Sequence, residues 1–289
     1  MLKTVLVGSY ELRNEHKMSE TIYENIEGSF NGLDHEYGSN IHLSSDPYLL
    51  TLLARLCSPK CIQPEFNRLI TELYRQLIAR VVANELPLRR VETPTRMREA
   101  TPKGVYVGNV VEPATRAVVV DVARAGILPS MVVFDVLNHV LDPEGVRQDH
   151  VVMSRTTDNE TGAVTGVTMS MSKIAGDAGG AMLIVPDPMG ATGGSICAAV
   201  DLYKKDGMLP PNKVLLLNLI VTPQYLKKVK ATHPEAKVYA IRVDRGMSPA
   251  DVLKEKAGAR WDDENGLNDI QYIVPGGGGF GELMNNAYC

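Results

Sequence analysis

The chain has 289 residues, 44% of them apolar, which is material enough for a large buried core. A net charge of −4, a pI near 5.9 and 30 dispersed lysines and arginines exclude a nucleic-acid footprint. No apolar stretch reaches the roughly 18 residues of a bilayer span, and the apolar part of the first eight residues is too short for a secretory signal, so a cytoplasmic protein with no membrane or nucleic-acid partner is expected.

Residues 1–45 read as an N-terminal arm, with one strand candidate, Val5–Val7, followed by polar sequence punctuated by Gly28, Gly32 and Gly38. Residues 46–85 are helical in pattern: Leu49, Leu52, Leu53 and Leu56, then Phe66, Leu69, Ile70, Leu73 and Leu77 recur at three- and four-residue spacing. Cys57 and Cys61 stand four apart but have no second cysteine or histidine pair nearby, so free thiols are expected rather than zinc ligands. Farther on, strands and helices alternate. Ala117–Val122 is a strand, Ile127–Val140 a helix, His150–Met153 a strand and Ala181–Pro186 a continuous apolar strand. Ser195–Asp206 has helical spacing up to Gly207, Val214–Val221 is a buried strand, Pro223–Lys230 a helix and Lys237–Val243 a strand. This alternation predicts an α/β fold, a mostly parallel sheet with helices on both faces. Within Arg245–Asn265 a further helix is predicted at Pro249–Lys256, with Ser248 as N-cap.

Ligands in such sheets bind beyond the carboxyl ends of the strands, where Arg124 and Asp187 fall. The most informative stretch is Leu183–Ser195, an apolar strand that runs into an acidic, glycine-rich turn opening a helix. Gly190, Gly193 and Gly194 allow a tight curl, and the N–H groups of Thr192 to Ser195 are then directed at an anion above the helix start. The turn lacks the lysine of a nucleotide-triphosphatase loop and the glycine spacing of a dinucleotide loop.

In the form Asp187-Pro-Met-Gly-Ala-Thr-Gly-Gly-Ser195 this turn resembles the phosphoribosyl pyrophosphate (PRPP) loop of the uracil phosphoribosyltransferases. Other segments line up with that family in the same order: Glu85–Pro94 after the helices, Arg124-Ala-Gly126 as a pyrophosphate loop, Ser154-Arg155 with Thr156–Lys173 as a β-arm flap turning at Asp158–Gly162, and Gly266–Leu283 as the base-reading segment. The resemblance implies a phosphoribosyltransferase domain over 46–289, working as a homodimer or higher homo-oligomer on small molecules, PRPP and uracil or a related base. PRPP is expected at Arg124, Ala125, Gly126, Arg155 and the run Asp187, Pro188, Met189, Gly190, Ala191, Thr192, Gly193, Gly194 and Ser195. The base is expected at Ile273, Gly278, Gly279 and Phe280, read largely through backbone groups.

Three departures stand out. Ser154 replaces the family's tyrosine, Gly279-Phe280 replaces Asp-Ala in Gly-Asp-Ala-Gly-Asp with Glu282 at its end, and Arg245–Asn265 is inserted before the base segment. Because the lost aspartate touches PRPP in the family, a true uracil enzyme is expected to improve its use of PRPP with Gly279→Asp. The implied reaction is uracil plus PRPP giving UMP and pyrophosphate, with Asp187 and Arg124 as the catalytic pair and Mg²⁺ held mainly by PRPP rather than by protein ligands. Two other readings stay open: transfer to a different base-like acceptor, and a non-catalytic PRPP- or nucleotide-binding regulator on the same fold.

Overall fold

A computed structural model describes Tyr23, residues 32–157 and residues 164–287; for 155–157, 164, 165 and 167 it describes the backbone alone. In chain order the elements are β1 (Ile41–Leu43), α1 (Pro47–Leu56), α2 (Glu65–Glu85), β2 (Leu88–Pro94), β3 (Val105–Val111), β4 (Arg116–Ala123), α3 (Ile127–Asn138), β5 (Val146–Thr157), β6 (Val164–Lys173), β7 (Ala181–Pro186), β8 (Met189–Gly190), α4 (Gly194–Asp201), β9 (Lys213–Val221), α5 (Pro223–Thr232), β10 (Lys237–Val243) and α6 (Phe280–Asn285).

The apolar runs form the middle of an eight-stranded sheet ordered β1-β10-β9-β7-β4-β5-β6, with β8 beside β9. Every pairing in it is parallel except β5 with β6. Alternate residues of each strand point to opposite faces. Val119, Ile184, Leu215 and Ile241 therefore pack with α1, α2 and α3, while Val118, Leu183, Leu216 and Ala240 pack with α4 and α5. Both faces are covered, which is why β7 and most of β9 tolerate no alternation of polar residues. β2 and β3 form a separate antiparallel ribbon whose β2 strand is largely exposed.

The chain moves one way from β4 to β5 and the other way from β4 to β7. The ends of β4 and β7 are thus the sheet's switch point, where a crevice opens because successive connections leave on opposite sides.

Several sequence expectations change. Ile41–Leu43 is an edge strand paired with β10. β5 extends well beyond His150–Met153 because ladders to β4 and β6 satisfy its backbone despite polar side chains. α4 stops at Asp201 rather than Asp206, passing into turns. Pro249–Lys256 is not a helix; only the 3₁₀ turn Val252–Lys254 forms. Ser248 caps nothing there, since its hydroxyl accepts from Asn265 N (2.8 Å) and donates to Asn265 O (3.2 Å). The carbonyls of Leu253 and Glu255 accept from Arg245, which ties the end of this turn back to the start of the insertion. Val5–Val7 and the turn Asp158–Gly162 lie outside the described residues.

Candidate active site

Three segments meet at the switch point. The first is the cradle after β7. Asp187 is half-buried, its Oδ1 accepts from Met189 N (3.1 Å), and its own N–H donates to Leu217 O (3.0 Å). Of the cradle glycines only Gly193 takes a left-handed conformation (φ +81°), and it directly precedes α4. Gly190 and Gly194 do not curl in this way. Gly190 instead fits a tight space: a Cβ there would stand 3.0 Å from the Tyr225 ring and from Val221 Cγ1. Cys197 N donates to Gly193 O (3.0 Å), the first turn of α4. The N–H groups of Gly194 and Ser195 precede that bond and so have no carbonyl behind them within the helix.

The cradle is built from below by residues that sequence motifs did not single out. Asn218 Nδ2 donates to Asp187 O (2.6 Å), Tyr225 Oη donates to Asn218 Oδ1 (3.0 Å), and Thr222 Oγ1 donates to Ala191 O (2.6 Å) while accepting from Tyr225 N (3.0 Å). Asn218 and Thr222 are fully buried. An asparagine in the middle of the apolar run Val214–Val221 was the available signal, because a buried amide must find partners. Burial first, and the charge of Asp187 second, hold the phenols of Tyr74 and Tyr225 well above the usual tyrosine range.

The second segment is the loop leaving β4. The Ala123–Arg124 peptide is cis, and Gly126 sits so close to β4 and β7 that a Cβ would stand 2.7 Å from Val122 O and 3.2 Å from Pro186 O. Arg124 Nη1 donates to Ala287 O (2.9 Å), and Nη2 lies 3.5 Å from Glu282 Oε1. The guanidinium is therefore held at the mouth of the site by the C-terminal turn. Arg155 pairs with Val167 in the β5–β6 hairpin; its backbone alone is described.

The third segment, 266–283, crosses the same mouth. A Cβ on Gly281 would lie 3.7 Å from Ala125 N and 3.8 Å from Arg124 Cβ, ordinary contact distances that put the start of α6 directly against the pyrophosphate-type loop. A Cβ on Gly279 would overlap Glu282 Oε2 and stand 2.9 Å from Glu282 Cδ. The Glu282 carboxylate thus fills the space beside Gly279. Phe280 is 1% exposed, its ring set edge-on to Phe66 at 5.2 Å. Only the backbone of Phe280 is left to face a ligand. Ile273 is also buried, whereas Gly278 is exposed.

The insertion Arg245–Asn265 is tied down firmly. Glu264, buried within it, accepts from Tyr37 Oη (2.5 Å), Arg245 Nη1 (2.6 Å) and Gly258 N (2.8 Å), and Trp261 Nε1 donates to Pro223 O (3.0 Å). It adjoins the base-type segment at Gly246, whose N–H donates to Val274 O (3.0 Å). Among the described residues no group of three or more His, Cys, Asp or Glu side chains is gathered to hold a metal, and Cys57, Cys61 and Cys197 are free thiols. Nor, among those residues, is any helix long and apolar enough to cross a membrane.

The family model of uracil phosphoribosyltransferase matches residues 43–260, which includes the Arg124 loop and the cradle and stops before Gly266–Leu283. The uracil phosphoribosyltransferase of Thermoanaerobacter sp. (strain X514) is 28% identical over 245 residues, covering 85% of this chain and 97% of the relative. That of Ligilactobacillus salivarius (strain UCC118) is 27% identical over 258 residues, covering 89% and 98%. Among solved structures, the AQ2163 protein from Aquifex aeolicus shares the fold with a TM-score of 0.63 at 20% identity, covering 85% of this chain and 97% of that one. With the family model matched over most of its length, the chain is a phosphoribosyltransferase belonging to the uracil phosphoribosyltransferase family.

Proposed function

We propose that the protein joins uracil to the ribose of PRPP, giving UMP and pyrophosphate. The observation that carries this reading is the meeting of the Arg124 loop, the Asp187–Ser195 cradle and the 266–283 segment at one switch point. Departure of pyrophosphate leaves positive charge on the ribose carbon and negative charge on the leaving group, so cations belong at one end and fixed acceptors at the other. Arg124 and Arg155 take the pyrophosphate, where a planar fork of donors matches phosphate oxygens. The N–H groups of Thr192 to Ser195 at the start of α4 take the 5′-phosphate. Asp187 holds the ribose hydroxyls and stabilises the developing oxocarbenium charge, and the backbone at Ile273 and Gly278–Phe280 reads the base. The β5–β6 hairpin excludes water, the competing nucleophile.

The cradle carries a single carboxylate, with Pro188 directly after Asp187. Such a donor set fits an Mg²⁺ ion that arrives with PRPP and keeps most of its waters. When bound, it neutralises charge on the pyrophosphate. A rebuilt acceptor pocket draws no support from Phe280, whose ring is spent in the core. The test is pyrophosphate release from PRPP across a panel of pyrimidine and purine bases. Selective turnover with uracil is expected. Efficient use of another base in place of uracil would overturn the acceptor assignment, and PRPP binding without turnover of any base would overturn catalysis.

A further inference from the structure

Gly276 to Gly279 are four consecutive glycines, a run that loses more backbone freedom on ordering than any other sequence of that length. Something outside the run must hold it if it is to present backbone groups to a ligand. At the end of β10, Arg242 and Asp244 stand two residues apart and so share one face of the strand. They form a two-bonded fork: Nε donates to Oδ1 at 2.6 Å and Nη2 to Oδ2 at 2.8 Å. Each partner then spends a further bond on Gly276. Asp244 Oδ2 accepts from Gly276 N (2.7 Å), and Arg242 Nη2 donates to Gly276 O (3.1 Å). The Asp244 side chain is 2% exposed and the Arg242 side chain 25%.

The clamp is anchored to the sheet, since Asp244 N donates to Val221 O (2.8 Å) and Arg242 pairs with Ile220. Next to Gly276, a Cβ on Gly277 would stand 2.8 Å from Cys57 Sγ and 2.6 Å from the Phe280 ring. We infer that the Arg242–Asp244 pair is a positioning device for the acceptor, fixing Gly276 from both its donor and its acceptor side so that Gly278–Phe280 face the base in one geometry. Neither side chain touches the reacting atoms. The inference rests on the placement of the acceptor at Ile273–Phe280.

Arg242→Lys keeps the charge but offers a point donor in place of the fork. In the full-length protein it should raise the KM for uracil about tenfold, the loss of one charge-assisted bond. The KM for PRPP should stay within about twofold, and the melting temperature should fall by no more than a few degrees. Arg242→Ala, which strands a buried carboxylate, should show the same split more strongly if it folds, and the lysine variant decides if it does not. Hydrogen exchange at residues 276–280 should quicken about tenfold in Arg242→Lys, an outcome that does not depend on which base is used. An unchanged uracil KM, equal rises in both KM values with a lower melting temperature, or unchanged exchange at residues 276–280 would overturn the positioning role. If the wild-type protein turns over no base, the functional reading fails by itself and the exchange measurement still decides the clamp.

Discussion

Gly279→Asp is the variant for which sequence comparison and structure give opposite signs. The family pattern suggests that it restores a PRPP contact. In the structure the space beside residue 279 is taken by the Glu282 carboxylate, which a Cβ at 279 would overlap, and that carboxylate lies 3.5 Å from Arg124 Nη2. An aspartate placed there must push Glu282 aside and set a second negative charge roughly 4 Å from the first. Two unit charges at about 4 Å repel by about 1 kcal/mol in water and about 4 kcal/mol at an effective dielectric near 20. With the Glu282 and Arg124 side chains 29% and 38% exposed, the lower half of that range applies, about 1–2 kcal/mol. Both carboxylates then compete with pyrophosphate for one guanidinium, so Gly279→Asp should raise the KM for PRPP about tenfold. Gly279→Asp combined with Glu282→Ala returns the site to one carboxylate and should bring PRPP use to within about threefold of wild type, a coupling of about 1–2 kcal/mol between the positions. Steady-state kinetics of the four proteins at saturating uracil, with pyrophosphate binding by calorimetry, measure it. Improved PRPP use by Gly279→Asp alone, or additive effects in the double variant, would refute the reasoning.

Asp187→Asn should lower kcat by about a hundredfold, roughly 3 kcal/mol, while PRPP affinity changes far less, because the charge acts on the transition state; single-turnover rates and PRPP titration separate the two. Asn218→Ala removes a donor to Asp187 O and the acceptor of the Tyr225 hydroxyl, which lies fully buried. It should cost about 2–3 kcal/mol of stability in urea unfolding and weaken PRPP binding through a looser cradle. Glu85 receives Lys237 Nζ (2.8 Å), Lys213 Nζ (3.0 Å) and Tyr239 Oη (2.5 Å). Burial alone would raise its pKa, but these partners outweigh burial and bring it to about 2, from 4.5 when unfolded. A carboxylate whose pKa is lower in the folded state stabilises fully above its unfolded pKa, and that stability is lost as pH falls through the folded one. With both lysines partly exposed, about 2 kcal/mol should vanish between roughly pH 4.5 and 2; Glu85→Gln should flatten that part of the melting-temperature profile, and an equally steep profile would exclude Glu85 as the source.

The sequence by itself determined what local rules and periodicity control. Buried parallel strands are continuous apolar runs, so β4, β7, β9 and β10 were legible with their crossover helices. The Asp187–Ser195 turn was legible because an acid, closely placed glycines and a following helix need no distant partner to state their chemistry. What only the tertiary structure decided depends on contacts across long stretches of chain. The edge strand Ile41–Leu43 is a strand because β10 offers it a ladder, and the helix expected at Pro249–Lys256 lacks its cap because Asn265, distant in sequence, holds the Ser248 hydroxyl. Phe280 reads as a pocket residue in a motif, yet Phe66, more than 200 residues earlier, draws its ring into the core. The Glu282 carboxylate beside Gly279, the Ala287 carbonyl on Arg124 and the Arg242–Asp244 hold on Gly276 are likewise distances between parts of the folded chain. Spacing along the chain records only which side chains are near in sequence, and folding alone sets which of them meet.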